Sequence, residues 1–301
     1  MSPTVLTSAV LASLPLPSYG SGASKLERGK LLVVGGSREV PGAALLAARA
    51  ALRIGCGTVR VAVPAAVAAA VAVAQPELMV LALPERDGRL DAGGALDVVE
   101  PQYGACDALV VGPGMADDEA AAHLARQVVA HAPLPAVVDA GALLAWSPGE
   151  RRVSGAFEAT AGPRVFTPHA GEMCQLAGCD EAQLAADRAG VARAFVAERR
   201  ATLVLKGEET LIASPGGPTY LNMAGSRALG TAGSGDALAG AIGGLLAQGL
   251  DPSRAAVWGV RLHALAGELA AAEIGEDGVL AMEVVDRLPR VLREARHPSC
   301  H

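Results

Sequence analysis

A glycine-rich turn that leads into an apolar run contains the residues of this sequence best suited to chemistry. Gly233, Ser234, Gly235 and Asp236 precede small and aliphatic residues at helical spacing, which predicts a helix that begins near Asp236. Unpaired N–H groups at a helix N-terminus attract anions, so Gly233 to Gly235 could form an anion hole for a phosphate group. Asp236 would repel that phosphate, but it could take a proton from a hydroxyl group that attacks the phosphorus. The alternative is a polar cap on an ordinary helix that packs closely through Gly240, Gly243 and Gly244.

A second polar stretch follows a predicted strand and consists of Lys206, Gly207, Glu208, Glu209 and Thr210. The ammonium group, the glycine N–H and the threonine hydroxyl could hold the phosphate or ribose of a nucleotide. The alternative is a solvated hairpin corner. In either case a lysine at a strand end is expected to be exposed.

Three further polar positions have two interpretations each. His169 lies three residues before Glu172, and it could bind a phosphate group or pair with that carboxylate. Asp139 could orient a metal-bound water molecule or cap the turn that follows it. His263 lies inside an apolar helical segment, where packing is expected rather than ligand binding. No cluster of His, Cys and acidic residues has the spacing of metal ligands, so Mg²⁺ would arrive with a nucleotide.

Alternating apolar strands and helices would position these polar residues. Strands are predicted at residues 31–34, 58–63, 78–83, 107–111, 136–138, 164–166 and 202–206, with a hairpin at 211–221. Helices are predicted at residues 41–53, 65–74, 120–130, from 170 onwards, and at 181–199, 253–273 and 282–293. The fold class is therefore α/β, with a central, mostly parallel sheet and helices on both faces. We expect residues 1–24 to be a lead-in with a short helix, and residues 25–301 to form a single domain.

Polar or glycine-rich loops directly follow five of the predicted strands, at residues 35–37, 112–114, 139, 167–169 and 206–207. The carboxyl ends of parallel strands face one crevice, so we expect these loops to converge with the glycine-rich turn at 233–236. Gly35-Gly36-Ser37 lacks the Gly-x-Gly-x-x-Gly spacing of a dinucleotide fingerprint.

Composition excludes several classes of protein. The chain has 301 residues, of which 51% are hydrophobic and 19% charged, so it is globular. A net charge of −6 without a basic cluster argues against nucleic-acid binding, and the longest apolar stretch is too short to span a membrane. The cysteines indicate neither a disulfide framework nor a zinc site, so a reducing cytoplasm is expected; they are Cys56, Cys106, Cys174, Cys179 and Cys300.

In their order along the chain, these loops resemble those of the ADP-dependent NAD(P)H-hydrate dehydratases, members of the ribokinase-like superfamily. The resemblance covers about residues 25–291 and is carried by LLVVGGSREVPGAALLAARAALRIGCGTVRVAVP, ALVVGPGM, PAVVDAGAL, FTPHAGEM, LVLKGEETLIA, NMAGSRALGTAGSGDALAGAIGGLLAQGL and AAVWGVRLHALAGELA. It implies a ribokinase-like three-layer sandwich. It also implies dehydration of the S epimer of hydrated NAD(P)H at the expense of ADP, with AMP and phosphate as the other products.

The same resemblance implies roles for individual residues. Residues Lys206 to Thr210 and Gly235 would hold the adenine nucleotide. The hydrated cofactor would contact Ala43, Gly114, His169 and Asp236, with Asp236 as the base. ADP would be the cosubstrate with Mg²⁺, a separate epimerase would act in the same pathway, and the protein would be a homo-oligomer, often a tetramer in this family.

The sequence departs from the family pattern at several positions, and two other functions remain open. Ser226-Arg227 replaces the usual Asn-Pro and adds a charge near the anion hole, while Ser234, Cys56 and Gly141 replace the usual Thr, Ala and Asp. The alternatives are an ATP-dependent ribokinase-like kinase of a vitamin precursor and a non-catalytic nucleotide-binding regulator. The preference for ADP or ATP, and for hydrated NADH or NADPH, is also open at this stage.

Overall fold

A large β-sheet forms the centre of the molecule. The computed structural model describes residues 2–20, 22, 24–146 and 161–297. The strands within these residues are β1 Thr4–Val5, β2 Lys30–Val34, β3 Thr58–Pro64, β4 Met79–Leu83, β5 Glu85–Arg86, β6 Arg89–Leu90, β7 Ala108–Val111, β8 Ala136–Val138, β9 Arg164–Phe166, β10 Thr202–Leu205, β11 Thr210–Ala213 and β12 Tyr220–Asn222. Ten of them form one sheet in the order β1-β12-β11-β10-β9-β8-β7-β2-β3-β4, and β5 and β6 form a separate hairpin. The pairs β10–β11 and β11–β12 are antiparallel and the other pairs of the large sheet are parallel, which confirms the predicted mostly parallel sheet.

Helices cover both faces of this sheet. Their bounds are α1 Ser8–Ala12, α2 Pro41–Arg53, α3 Ala65–Ala74, α4 Ala92–Val99, α5 Glu119–His131, α6 Gly141–Leu144, α7 Ala170–Ala177, α8 Glu181–Ala186, α9 Arg188–Arg199, α10 Ser234–Ala247, α11 Pro252–Ile274 and α12 Ala281–Arg296. The core on one face includes side chains of α2, α10, α11 and α12. The core on the other face includes side chains of α4, α5, α7 and α9.

The central strands are buried on both faces because the pleat sends successive side chains to opposite sides. In β2, Leu31 and Val33 belong to the first core, whereas Leu32 and Val34 belong to the second. All four side chains have no exposed surface. This explains the continuous apolar strands from which a covered parallel sheet was predicted.

Helix α10 packs against α2 and the sheet at unusually short distances. A Cβ atom at Gly240 would lie 2.0 Å from the carbonyl oxygen of Ala47, and one at Gly243 would lie 2.3 Å from Cγ2 of Val110. Larger residues at these positions would push the helix outward. The glycines therefore fix where the N-terminus of α10 lies relative to the carboxyl ends of the strands.

A buried arginine connects the loops at the amino ends of β8 and β9, away from the crevice. The Arg164 side chain is 1% exposed and donates to the carbonyl oxygens of Val129, Ala132, Leu134 and Gly162 at 2.6–2.9 Å. Burial lowers the pKa of Arg164 to about 10. Its hydrogen bonds replace much of the hydration that the guanidinium loses.

Several elements differ from the sequence-based expectations. The single helix expected at residues 181–199 is two helices, because the Asp187 side chain accepts a hydrogen bond from Gly190 N and begins α9 as a new helix. The lead-in contains the expected short helix α1, but it also supplies β1, which pairs in parallel with β12. The β5–β6 hairpin and α4 were not predicted. Strands of two residues are too short to show a period, and the sequence of α4, AGGALDVV, contains two glycines that weaken a helical pattern.

Two further expectations concern membranes and thiols. Among the described residues, no helix has the length and hydropathy needed to cross a bilayer. Cys56, Cys106, Cys174 and Cys179 are free thiols, while Cys300 lies outside the described residues.

Candidate functional site

The N-terminus of α10 forms one wall of the crevice at the carboxyl ends of the strands. The helix begins at Ser234, two residues earlier than predicted, and Gly233 precedes it with a φ of 85°. A Cβ atom at Gly233 would lie 2.4 Å from Cδ1 of Leu46 on α2. Within the described part of the chain, the N–H groups of Gly235 and Asp236 make no hydrogen bond, so both are available to an anion.

Asp236 lies in the first turn of α10 rather than at its N-cap, so it is not the capping residue that the alternative interpretation required. Burial raises the pKa of Asp236 to about 7, with further contributions from the negative charges of Asp139 and Glu172, while Lys206 opposes the shift. A carboxylate with a pKa near neutrality is suited to act as a general base, because it can both take up and release a proton at physiological pH.

Lys206 lies at the centre of the crevice and is not the exposed strand-end lysine that the sequence suggested. Its side chain is only 20% exposed, and Nζ donates to Oδ1 of Asp139 at 2.9 Å. Asp139 is buried and also accepts a hydrogen bond from Oγ1 of Thr167 at 2.7 Å. Nζ lies 3.9 Å from Oε2 of Glu172, and 3.3 Å from where a Cβ atom of Gly235 would lie. The ammonium group is therefore held beside the free N–H groups of α10.

The charges around Lys206 keep it protonated. Burial alone would lower the pKa of Lys206, but the attraction of Asp139, Glu172 and Asp236 outweighs burial and raises the pKa above its ordinary value. Sequence reasoning did not identify this pairing of Asp139 with Lys206. The signal was nevertheless present, because both residues directly follow strands of one parallel sheet.

His169 and Glu172 form a reciprocal cap at the start of α7. Nδ1 of His169 accepts from the backbone N–H of Glu172 at 3.2 Å, and Oε2 of Glu172 accepts from the N–H of His169 at 2.7 Å. Because Nδ1 is the acceptor, a neutral His169 carries its proton on Nε2. The side chain is 62% exposed, so His169 pairs with Glu172 and can still donate from Nε2 to a ligand.

Ala43 and Gly114 lie together on the opposite side of the crevice. Gly114 has a φ of 67°, and a Cβ atom there would lie 2.7 Å from Cβ of Ala43. The neighbouring Gly36 N–H donates to the carbonyl oxygen of Pro113 at 2.7 Å. Leu46, which contacts Gly233, is one turn after Ala43 on α2. The two predicted substrate-contact residues therefore lie about one turn of α2 away from the predicted anion hole, along the same face of that helix.

The loop between β10 and β11 holds the predicted nucleotide-binding residues. Glu208 and Glu209 are exposed, and Oγ1 of Thr210 lies 3.4 Å from the carbonyl oxygen of Gly207. Sequence reasoning missed Arg188, whose Nη2 lies 3.4–3.5 Å from the carbonyl oxygens of Lys206 and Leu205. No sequence motif indicated this arginine, because it begins α9 and reaches the loop only in the tertiary structure.

Two side chains near the anion hole point away from it. Oγ of Ser234 lies 3.3 Å from Nε2 of His263, and both residues are buried, which confirms the expected packing role of His263. The Ser234 side chain therefore does not face the predicted anion hole, and the Ser234 N–H donates to the carbonyl oxygen of Thr231 at 3.3 Å, so the free donors in the first turn of α10 are those of Gly235 and Asp236 among the described residues. Arg227 pairs with Glu276 and Asp277 at 2.8 Å each, so the charge that this departure adds is neutralised locally.

Two carboxylates of the crevice are compatible with a metal ion that arrives with a nucleotide. Among the described residues, no group of three or more His, Cys, Asp or Glu side chains is arranged to hold a metal ion. Glu172 and Asp236 are partly buried carboxylates beside the free N–H groups. Mg²⁺ binds through one or two carboxylates, water and substrate phosphates, and this set fits that pattern.

Comparisons with known proteins agree on one family. Residues 31–290 match the family described as NAD(P)H-hydrate dehydratase. An ADP-dependent (S)-NAD(P)H-hydrate dehydratase of Xanthomonas campestris is 44% identical over 289 residues, 95% of each chain. A bifunctional NAD(P)H-hydrate repair enzyme of Moorella thermoacetica is 41% identical, and the chain spans about half (52%) of its length. A crystal structure of the ADP/ATP-dependent NAD(P)H-hydrate dehydratase of Bacillus subtilis, co-crystallised with ATP/Mg²⁺, is 30% identical with a TM-score of 0.81, covering 98% of this chain and 99% of that chain.

Proposed function

The chain belongs to the NAD(P)H-hydrate dehydratase family, and we propose that it repairs hydrated NADH and NADPH by ADP-dependent dehydration of the S epimer. The products are NAD(P)H, AMP and phosphate, so the enzyme is a carbon–oxygen lyase. Residues 25–301 act as its single catalytic domain. The observation that carries the proposal is the position of Asp236, a carboxylate with a pKa of about 7 beside free N–H groups and a protonated lysine.

This arrangement suits a dehydration that proceeds through a phosphate ester. Hydroxide is a poor leaving group, whereas a phosphate ester is eliminated readily. Asp236 takes the proton of the ring hydroxyl while that oxygen attacks the terminal phosphorus of ADP, and AMP leaves with the electrons of the broken P–O bond. The ester oxygen then departs with phosphate, the neighbouring ring carbon loses a proton to water, and the ring double bond forms again.

The positively charged and N–H donor groups of the crevice are suited to the negative charge that moves during this phosphate transfer. The N–H groups of Gly235 and Asp236 and the ammonium of Lys206 surround the position of the transferring phosphate. They stabilise negative charge as it shifts, because fixed donors in a partly water-excluded site need no reorganisation. Asp139 and Thr167 hold the ammonium in place.

The remaining roles follow the arrangement of the crevice. Lys206 to Thr210 and Gly235 hold the adenine nucleotide, while Ala43, Gly114 and His169 contact the hydrated cofactor. Glu172 and Asp236 would be the carboxylates available to Mg²⁺ that arrives with ADP, and Mg²⁺ would supply further neutralisation of phosphate charge. The donor at Nε2 of His169 is suited to an oxygen atom of the cofactor.

Three further parts of the proposal concern the cellular setting. The Moorella relative, a bifunctional repair enzyme, is nearly twice the length of the matched region, and we infer that a separate epimerase supplies the S epimer to this enzyme. The enzyme acts as a homo-oligomer, with a tetramer as the expected form. It acts in the cytoplasm, where the four described thiols would stay reduced.

The decisive experiment supplies S-epimer hydrated NADH, ADP and Mg²⁺ to the purified protein and follows the return of dihydronicotinamide absorbance. We expect NADH, AMP and phosphate in equal amounts. A stable phosphorylated product would instead support a kinase, and nucleotide binding without turnover would support a regulator. Parallel reactions with ATP and with hydrated NADPH measure both nucleotide preferences.

A further inference from the structure

A separate cavity of about 270 Å³ lies at the carboxyl ends of β2, β3, β4 and β7. The loop residues 35–37 line it, as do Pro64 and Leu83 at the ends of β3 and β4. Met115 and Ala116, which follow β7, line it as well. Residues 233–235 of the predicted anion hole and residues 206–210 of the β10–β11 loop do not line this cavity, and the roles proposed above give the cavity no function.

The cavity lies beside the predicted substrate-contact residue Gly114. Gly36 lines it, and the Gly36 N–H donates to Pro113 directly before Gly114. Helix α10 packs over β8, β7 and β2, so Asp236 lies between the cavity and Lys206 at the end of β10. Four strand intervals separate β10 from β2, which is about 19 Å at roughly 4.8 Å per interval. A long substrate whose reacting ring lies at Asp236 could therefore extend into the cavity without meeting the nucleotide.

The chemistry of the lining suits a nucleoside. Leu83, Leu90 and Leu124 supply an apolar surface for a flat base. Arg38 also lines the cavity, but it already pairs with Glu85 at 2.7 Å. Arg89 lines the cavity from the β5–β6 hairpin and has no carboxylate partner among the described residues. An unpaired arginine is suited to a phosphate group, and an arginine near the adenosine ribose is a known means of accepting a 2′-phosphate.

We propose that this cavity binds the adenosine half of the hydrated dinucleotide, and that Arg89 contacts the 2′-phosphate by which NADPH differs from NADH. This inference rests on the proposed function for the identity of the dinucleotide. The β5–β6 hairpin would then determine the preference for hydrated NADPH or hydrated NADH, although it takes no part in the phosphate transfer. Remote binding of this kind holds the reacting ring near Asp236, because contacts far from the reaction orient the substrate.

The first test compares Arg89→Gln with Arg86→Gln, a matched control in the same hairpin. Arg86 is 80% exposed, pairs with Asp91 and does not line the cavity. We expect Arg89→Gln to lower kcat/KM for hydrated NADPH about ten-fold, as for a lost charge-assisted contact that is partly open to water. The kcat/KM for hydrated NADH and the KM for ADP should be nearly unchanged, and Arg86→Gln should resemble the parent with both substrates. Equal losses for both dinucleotides, or no loss, would overturn the role of Arg89.

The second test fills the cavity with Ala116→Trp and uses hydrated reduced nicotinamide mononucleotide, which lacks the adenosine half. We expect kcat/KM for hydrated NADH to fall at least ten-fold while turnover of the mononucleotide is retained, which also shows that the variant folds. Asp117→Trp, at the neighbouring exposed position outside the lining, is the control. Equal effects on both substrates would overturn the cavity as the adenosine site.

These outcomes separate the two proposals. If the parent protein converts neither hydrated dinucleotide, the proposed function fails. Fluorescence titration with NADPH then still tests the cavity, because Arg89→Gln should weaken NADPH binding about ten-fold and Arg86→Gln should not. If the parent is active but NADPH affinity is the same in all three proteins, the proposed role of Arg89 fails alone.

Discussion

Replacing Asp236 with Asn should abolish most turnover and at the same time stabilise the fold. The carboxylate is partly buried near Asp139 and Glu172, and its pKa rises from 3.8 to about 7 on folding. Each pKa unit corresponds to about 1.4 kcal/mol, so the ionised group costs at most about 4 kcal/mol of stability at neutral pH. Solvent reaches the carboxylate, and we therefore expect roughly half of that ceiling. The Asn variant also loses the favourable interaction of a negative charge with the N-terminus of α10, which costs about 0.3–1 kcal/mol. The net stabilisation expected for Asp236→Asn is therefore about 1–2 kcal/mol.

The pH dependence of this gain identifies its cause. A carboxyl group whose pKa is raised by folding supports stability while it is protonated, and that support is lost as pH rises from about 4 towards about 7. Asn cannot ionise, so the gain of Asp236→Asn should be small near the acidic end of this window and largest above about pH 7. Turnover should fall about 10²–10⁴-fold, and in the parent kcat/KM should fall about ten-fold per pH unit below about pH 7.

The assay is urea denaturation of parent and variant across this pH range, together with turnover of hydrated NADH. Asp180→Asn is the matched control, because Asp180 is an exposed N-cap of α8 whose side chain accepts from Gln183 N at 2.8 Å. That variant should be neutral in both measurements, since Asn caps as well as Asp. An Asp236→Asn protein that is less stable than the parent above pH 7, or that retains turnover within a few-fold, would refute the reasoning.

Three further predictions concern ionisable side chains that are buried or partly buried. Lys206→Met should weaken ADP binding in calorimetry by about 1–3 kcal/mol. It should also destabilise the fold by about 3–5 kcal/mol, because the Asp139 carboxylate is left buried without its cation. The double variant Lys206→Met/Asp139→Asn should regain much of the stability but not the ADP binding. Arg164→Met should lower the unfolding free energy by about 3–5 kcal/mol, since four carbonyl groups lose the guanidinium donor and, among the described residues, only Ala132 keeps another. KM values should be normal at temperatures where the variant is folded. Burial lowers the pKa of His263 to about 4, so this residue should subtract up to about 3 kcal/mol of stability as pH falls from about 6.5 to about 4, against the opposite contribution of Asp236. The stability of His263→Gln relative to the parent should therefore rise by that amount over this pH range in denaturation measurements.

The alternation of apolar strands and helices determined the fold class, because period and composition are local properties that one chain segment displays by itself. Parallel strands then require their carboxyl ends to share one edge, so the sequence also predicted that residues 35–37, 112–114, 167–169 and 206–210 lie along one crevice. The structure confirms this placement. Boundaries that depend on a single cap, such as Asp187 between α8 and α9, were missed because side-chain hydrogen bonds of this kind leave little trace in periodicity.

What the sequence determined about the site is the identity of its groups, since a base, a cation and flexible glycines can be recognised from residue types and spacing. Only the tertiary structure decided how those groups act. The pKa of Asp236 depends on burial and on Asp139, which is 97 residues away in the chain, and the exposure of Lys206 depends on the same buried carboxylate. Likewise Ser234 points towards His263, and Arg188 reaches the start of the β10–β11 loop from another helix. Electrostatic energy depends on distance and on exclusion of water, and both are set by which segments pack together rather than by their order along the chain.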